Sequence, residues 1–93
     1  MKKAIYPGTF DPITFGHIDL IKKSLNIFDK VIVAVSDGNT KNYLFDASER
    51  ESLIKKALFN DLKFSKKKII VTSFKTLTTD FCKKMKSNVI IRG

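Results

Sequence analysis

The segment Tyr6-Pro7-Gly8-Thr9-Phe10-Asp11-Pro12-Ile13-Thr14-Phe15-Gly16-His17 concentrates residue types that handle phosphate. Gly8 lets a ligand approach the main chain closely, and Thr9 offers a hydroxyl beside it. Two prolines, Pro7 and Pro12, stiffen the path. With Thr14 as N-cap, Phe15, Gly16 and His17 fill the first turn of a helix, where unpaired amides and the helix dipole favour an anion. Glycine costs a helix about 1 kcal/mol relative to alanine, so Gly16 suggests that something must pack where a side chain would stand. His17 projects from the same turn and can donate a hydrogen bond to a phosphate oxygen as charge builds there during phosphoryl or nucleotidyl transfer. One preorganised donor of this kind is worth about 3 kcal/mol in a transition state. Taken alone, the chain's single histidine reads more readily as a residue at a helix start and nothing more, and Gly16 as incidental.

The elements that would position this loop are legible from periodicity. Apolar runs at Ala4–Tyr6, Val31–Val35, Ile69–Val71 and Val89–Ile91 are continuous rather than alternating, as in strands of a parallel sheet covered on both faces. Between them lie helical patterns. Ile18, Ile21, Leu25 and Phe28 form one stripe of a helix from about Phe15 to Phe28; Asp46 and Glu49 have capping-box spacing ahead of Leu53, Ile54, Ala57 and Leu58; Leu77, Phe81 and Met85 align over Thr76–Lys86. The alternation predicts an α/β chain with a Rossmann-like open, doubly wound parallel sheet of about four strands and three helices. Ligands of such sheets bind at the carboxyl ends of the strands, near the switch in strand order.

Composition narrows the function classes. The 93 residues are enough for one small domain, and no internal repeat or domain boundary is visible. The net charge of +9 comes almost wholly from lysine, since Arg50 and Arg92 are the only arginines. Lysine is a solvated point charge rather than a fork for guanine or phosphate, and the phenylalanines sit at core spacing, so nucleic-acid binding ranks last among the readings. Cys82 is the only cysteine, which excludes an internal disulfide and fits a reducing cytoplasm. Met1-Lys2-Lys3 imitates a signal-peptide start, but only Ala4-Ile5-Tyr6 follow before Pro7, and no run approaches membrane-spanning length.

The whole loop resembles the signature of the nucleotidylyltransferase superfamily, Gly-Thr-Phe-Asp-Pro followed by a Thr-or-His, any residue, Gly-His element, here Thr14-Phe15-Gly16-His17. Threonine at the first position of that element resembles the phosphopantetheine adenylyltransferase branch, whereas cytidylyltransferases and nicotinate mononucleotide adenylyltransferases usually carry histidine. Lys41, Phe45, Glu49, Arg50 and Ile54 fall on the family's Lys…Phe…Glu-Arg…Ile pattern, and Ile91-Arg92-Gly93 matches the end of its fourth strand. The loop Ser36-Asp37-Gly38-Asn39-Thr40 departs from the family's usual Pro-Ser-Lys-like sequence, and Thr78 stands where a larger apolar residue is common.

The resemblance implies adenylyl transfer from ATP to 4′-phosphopantetheine, giving dephospho-coenzyme A and pyrophosphate by direct attack, without a covalent enzyme intermediate. Thr9 would hold the reacting phosphate near ATP, Phe10 would contribute a main-chain contact to the nucleotide, and His17 would stabilise the transition state. Lys41 would bring positive charge to the phosphates, Thr78 and Arg92 would bind the pantetheine side, and Gly93 would begin a stretch leading into the ATP site. Arg50, following Glu49 on a helix, reads as structural and paired across to another element. Mg²⁺ is expected to arrive with ATP rather than on a dedicated protein site, and a homo-hexamer is the family's assembly.

Family members continue beyond the position of Gly93 into an Ile-Ser-Ser-(Ser/Thr) element that embraces the ATP phosphates. Residues 1–93 are therefore expected to be a single nucleotidylyltransferase domain truncated on its carboxyl side, marginally stable, self-associating or weak in ATP binding when alone. Two alternatives stay open: a nucleotidylyltransferase with another acceptor, and a non-catalytic nucleotide-binding or assembly fragment.

Overall fold

The computed structural model describes residues 2–37, 43–75, 78–84 and 89–92. Three parallel strands form the sheet: β1 (Lys3–Gly8), β2 (Lys30–Ser36) and β3 (Ile69–Phe74), with β2 in the middle. Gly8 pairs with Val35 and Ser36 with Phe74, so all three strands deliver their carboxyl ends to one edge. The fourth apolar run lies on the free side of β1. It pairs as a single parallel bridge, Ile5 with Ile90, in which the Ile5 amide donates to the Val89 carbonyl over 2.9 Å and the Ile91 amide to the Ile5 carbonyl over 2.7 Å. The chain thus steps outward from β1 to β3 and returns to the other side of β1. That return makes the carboxyl end of β1 the topological switch point.

The continuous apolar runs have a simple origin. Val31, Val33 and Val35 face one side of β2 and pack with Ile21, Ile54 and Leu58 from the helices there, whereas Ile32 and Ala34 face the other side and pack with Phe81. Both faces are covered, so both parities must be apolar. Helix α1 (Phe15–Ser24) and helix α2 (Ala47–Lys55) lie on the first face, and α3 (Thr78–Lys84) supplies Phe81 to the second, where its ring stacks on Phe74 at 4.8 Å between centroids.

Helix α1 stops earlier than its apolar stripe. The amides of Asn26 and Ile27 bond back three residues, to Lys23 and Ser24, and the Ser24 hydroxyl donates to the Leu20 carbonyl over 2.7 Å. The tightened turn still leaves Leu25 and Phe28 packed on the core. Helix α2 begins as its sequence predicts, with the Asp46 carboxylate accepting from the Glu49 amide over 2.8 Å. It then widens into a π-helical segment, Lys56–Asp61, that keeps Leu58 buried. Thr76, Leu77, Met85 and Lys86 of the predicted third helix lie outside the described residues. Among the described residues, no helix is long and apolar enough to cross a membrane.

Candidate functional site: an anion cleft at the end of β1

The loop from β1 to α1 turns sharply at Phe10, whose φ of 48° lies in the left-handed region that non-glycine residues rarely adopt. The turn drives the Phe10 ring inward until it is only 1% exposed. There it meets Tyr6 and His17 edge-on, with centroids 5.2 and 4.8 Å away. Glycine at position 8 suits this arrangement, because a Cβ there would stand 3.1 Å from Cε2 of the buried Phe10 ring and press on it. With its side chain in the core, Phe10 has only its main chain to present to a ligand.

Above this aromatic floor lies a cleft of about 500 Å³, walled by Gly8 and Thr9 on one side and by Thr14, Gly16 and His17 on the other. A Cβ on Gly16 would touch nothing but the Thr14 hydroxyl, at 3.7 Å. The space at Gly16 therefore opens onto the cleft, and no protein group fills it among the described residues. Thr14 caps α1 as its sequence predicts, with extended backbone and its hydroxyl 3.4 Å from the His17 amide. The amides of Phe15 and Gly16 fall in the first turn, where a helix offers no acceptors of its own.

His17 completes the cap from the other side. Its Nδ1 accepts the Thr14 amide over 3.0 Å, so the histidine occupies the position that glutamate or glutamine usually takes in a capping box. An amide can only donate, so Nδ1 must hold a lone pair and the neutral ring carries its proton on Nε2. Burial lowers the His17 pKa, favouring the same neutral form. Burial also raises the pKa of Tyr6, which keeps its phenol protonated. Gly16, His17 and Thr9, which line the cleft, carry a first-turn amide, an imidazole N–H and a hydroxyl, a set suited to phosphate oxygens.

Two residues outside the cleft hold its loops together. The Asp11 carboxylate accepts the amides of Leu44 and Phe45 over 2.6 and 3.0 Å, tying the β1 loop to the approach of α2. The guanidinium of Arg50, fully buried, donates to the carbonyls of Thr9 and Ser36 over 2.8 Å each and to that of Phe45 over 3.1 Å, and stacks 3.9 Å from the Tyr43 ring centre. The sequence marks Arg50 as structural; Asp11 it marks only as a member of the Gly-Thr-Phe-Asp-Pro signature, with no role attached.

The remaining predicted residues divide. Thr9 and His17 line the cleft, and Phe10 follows Thr9 with its ring buried against His17. Arg92 is exposed, two residues past the bridge with β1 and hence at the switch-point rim, and Thr78 opens α3. Lys41 and Gly93 lie outside the described residues. A larger cleft, about 600 Å³, runs along the amino-terminal half of β3 between Lys56, Phe59 and Lys66, away from all of these residues. Size therefore does not single out the cleft at the end of β1; its lining residues distinguish it.

The profile of the cytidylyltransferase-like family matches residues 5–93. Phosphopantetheine adenylyltransferase of Pelagibacter ubique (strain HTCC1062) is 72% identical over 94 residues, covering 100% of this chain and 57% of that protein. The phosphopantetheine adenylyltransferase of Clostridium beijerinckii is 46% identical over 93 residues, with 100% and 55% covered. The chain spans a little over half the length of these curated relatives. Among solved structures, Plasmodium falciparum nicotinic acid mononucleotide adenylyltransferase complexed with NaAD superposes with a TM-score of 0.74 at 27% identity, over 92% of this chain and 46% of that one. A bifunctional NMN adenylyltransferase/ADP ribose pyrophosphatase from Francisella tularensis, complexed with AMP and a manganese ion, gives 0.75 at 21% identity over 94% and 29%, a likeness of fold alone. With its switch-point cleft, its Thr14-to-His17 turn and this match along nearly its whole length, the chain belongs to the cytidylyltransferase-like family.

Proposed function

We propose that the protein carrying this chain transfers the adenylyl group of ATP to 4′-phosphopantetheine, and that the cleft between Thr9 and His17 holds the reacting phosphates. The observation that carries the reading is the fixed tautomer of His17: the Thr14 amide occupies Nδ1 and leaves Nε2–H as the ring's donor, in a side chain that lines the cleft. The relatives at 72% and 46% identity bear the name of this activity.

In the proposed reaction a phosphate oxygen of 4′-phosphopantetheine attacks the α-phosphorus of ATP. A new P–O bond forms as the bond to the bridging α,β oxygen breaks, and pyrophosphate departs with the electron pair, leaving dephospho-coenzyme A. Positioning and charge stabilisation then supply the catalysis. Thr9 orients the attacking phosphate, the Phe10 main chain contacts the nucleotide, and His17 Nε2–H bonds the α-phosphate oxygen more strongly as its charge grows. Lys41 adds positive charge, Gly93 leads toward the ATP site, and Thr78 and Arg92 receive the pantetheine side. Among the described residues no group of three or more His, Cys, Asp or Glu is arranged to hold a metal ion. Mg²⁺ would arrive with ATP, held by the nucleotide's own phosphates and water, and would offset charge on the departing pyrophosphate. A homo-hexamer and a cytoplasmic location belong to the same proposal.

A second reading, adenylyl transfer to nicotinate mononucleotide, has support in the fold shared with the Plasmodium enzyme. Dephospho-coenzyme A formation, measured beside turnover of nicotinate mononucleotide, separates the two. Preference for 4′-phosphopantetheine supports the proposal, and preference for the mononucleotide overturns it.

A further inference from the structure

Arg50 has no exposed surface and forms none of the cleft's walls, yet it touches the backbone behind them. One guanidinium gathers carbonyls from three separate places: Thr9 on the wall, Ser36 at the end of β2, and Phe45 on the approach to α2. The Tyr43 ring stacks against it, so the stretches on both sides of residues 38–42 are held by the same side chain. A residue needed only for packing here would do better apolar, because burying a charge is costly and well-packed hydrophobic replacements often stabilise. A planar fork does what an apolar side chain cannot: it fixes carbonyls at set distances and angles from one another.

We propose that Arg50 is the positioning residue of the anion cleft, setting the distance between the Thr9 wall and the loop that leaves β2. Its bond to the Thr9 carbonyl lies next to the left-handed turn at Phe10, and a strained turn persists only where surrounding contacts over-determine it. Nη2 has no hydrogen-bond partner among the described residues, with Asp37 Oδ1 at 3.8 Å and Lys75 Nζ at 3.8 Å on the other carboxylate oxygen. Asp37 is therefore placed to take up the remaining donor, which adds the first residue after β2 to the same clamp. This inference rests on the cleft being the ATP phosphate site.

The test measures binding of ATP and of inorganic pyrophosphate by calorimetry, together with melting temperature, for the whole protein that carries this chain and for three variants of it. Arg50→Lys keeps the charge but loses the fork; Tyr43→Leu removes the stacked ring and leaves the guanidinium in place; Ile54→Val shortens a buried side chain of α2 and serves as a stability control. Arg50→Lys is expected to weaken ATP binding about tenfold and Tyr43→Leu about threefold, while Ile54→Val melts lower with its affinity within about twofold of wild type. Should Arg50→Lys not fold, Tyr43→Leu decides alone by the same threefold criterion. Unchanged affinity in Arg50→Lys and Tyr43→Leu, or equal weakening in Ile54→Val, overturns the positioning role. Wild type that binds neither ligand overturns the assignment of the cleft instead.

Discussion

The backbone amide of Thr14 donates to Nδ1 of His17 across 3.0 Å, so one histidine both closes the first turn of α1 and is left with a defined donor at Nε2. The two roles can be separated by substitution. His17→Gln keeps an acceptor for the Thr14 amide, as the ordinary capping box does, whereas His17→Ala removes cap and donor together. Both variants should lower adenylyl transfer, His17→Ala by about 10²–10³-fold as for loss of one transition-state donor. Only His17→Ala should also lower the melting temperature. Steady-state turnover and thermal melts on the two proteins check this.

Acid should reveal the same bond. Burial holds the His17 pKa below its ordinary value of 6.5, so the unfolded chain binds the proton first as pH falls. The stability that His17 contributes is therefore complete above about pH 6.5 and is lost as pH drops through the lower folded value. Melting temperature followed from pH 7.5 down to pH 5 should fall more steeply for wild type than for His17→Gln, which has no proton to take up there. Parallel curves would remove the neutral histidine from the account.

The two glycines of the cleft should respond in opposite ways. A Cβ at Gly8 would meet the buried Phe10 ring at 3.1 Å, and that ring is already wedged between Tyr6 and His17. Gly8→Ala should cost about 1–3 kcal/mol in denaturant melts. A Cβ at Gly16 meets only the Thr14 hydroxyl, and alanine favours a helix by up to about 1 kcal/mol. Gly16→Ala should therefore be as stable as wild type or more so, yet bind ATP more weakly, because the methyl group enters the space proposed for phosphate.

Asp11 ties its loop to the approach of α2 through two amides, at 2.6 and 3.0 Å. Asp11→Ala should cost about 1–3 kcal/mol by leaving both amides without their charged acceptor. Asp11→Asn, which retains one acceptor oxygen, should lose less. Urea unfolding of the two variants gives the comparison.

Much of this architecture is legible in the sequence because its causes are local. Val31 to Val35 read as a strand buried on both faces, and they are: alternate residues meet helices on opposite sides. Thr14 reads as a cap and acts as one. The π-helical segment is hidden because Leu58 stays buried under either helical period. The second role of His17 is hidden because capping boxes normally use glutamate or glutamine. Arg50 is the deepest case. Its partners are main-chain carbonyls, one of them 41 residues away, and a carbonyl carries no side-chain signature. Lys41 and Gly93, assigned from motif position, lie outside the described residues.

Whether the Thr9-to-His17 cleft receives the phosphates of ATP is decided by ¹⁵N–¹H correlation spectra of the protein that carries this chain, titrated with ATP. The amides of Thr9, Phe15, Gly16 and His17 and the imidazole Nε2–H of His17 should shift together and saturate at one dissociation constant. Shifts confined to Phe59, Lys66 and the amino-terminal half of β3, with the β1 loop unmoved, would contradict it.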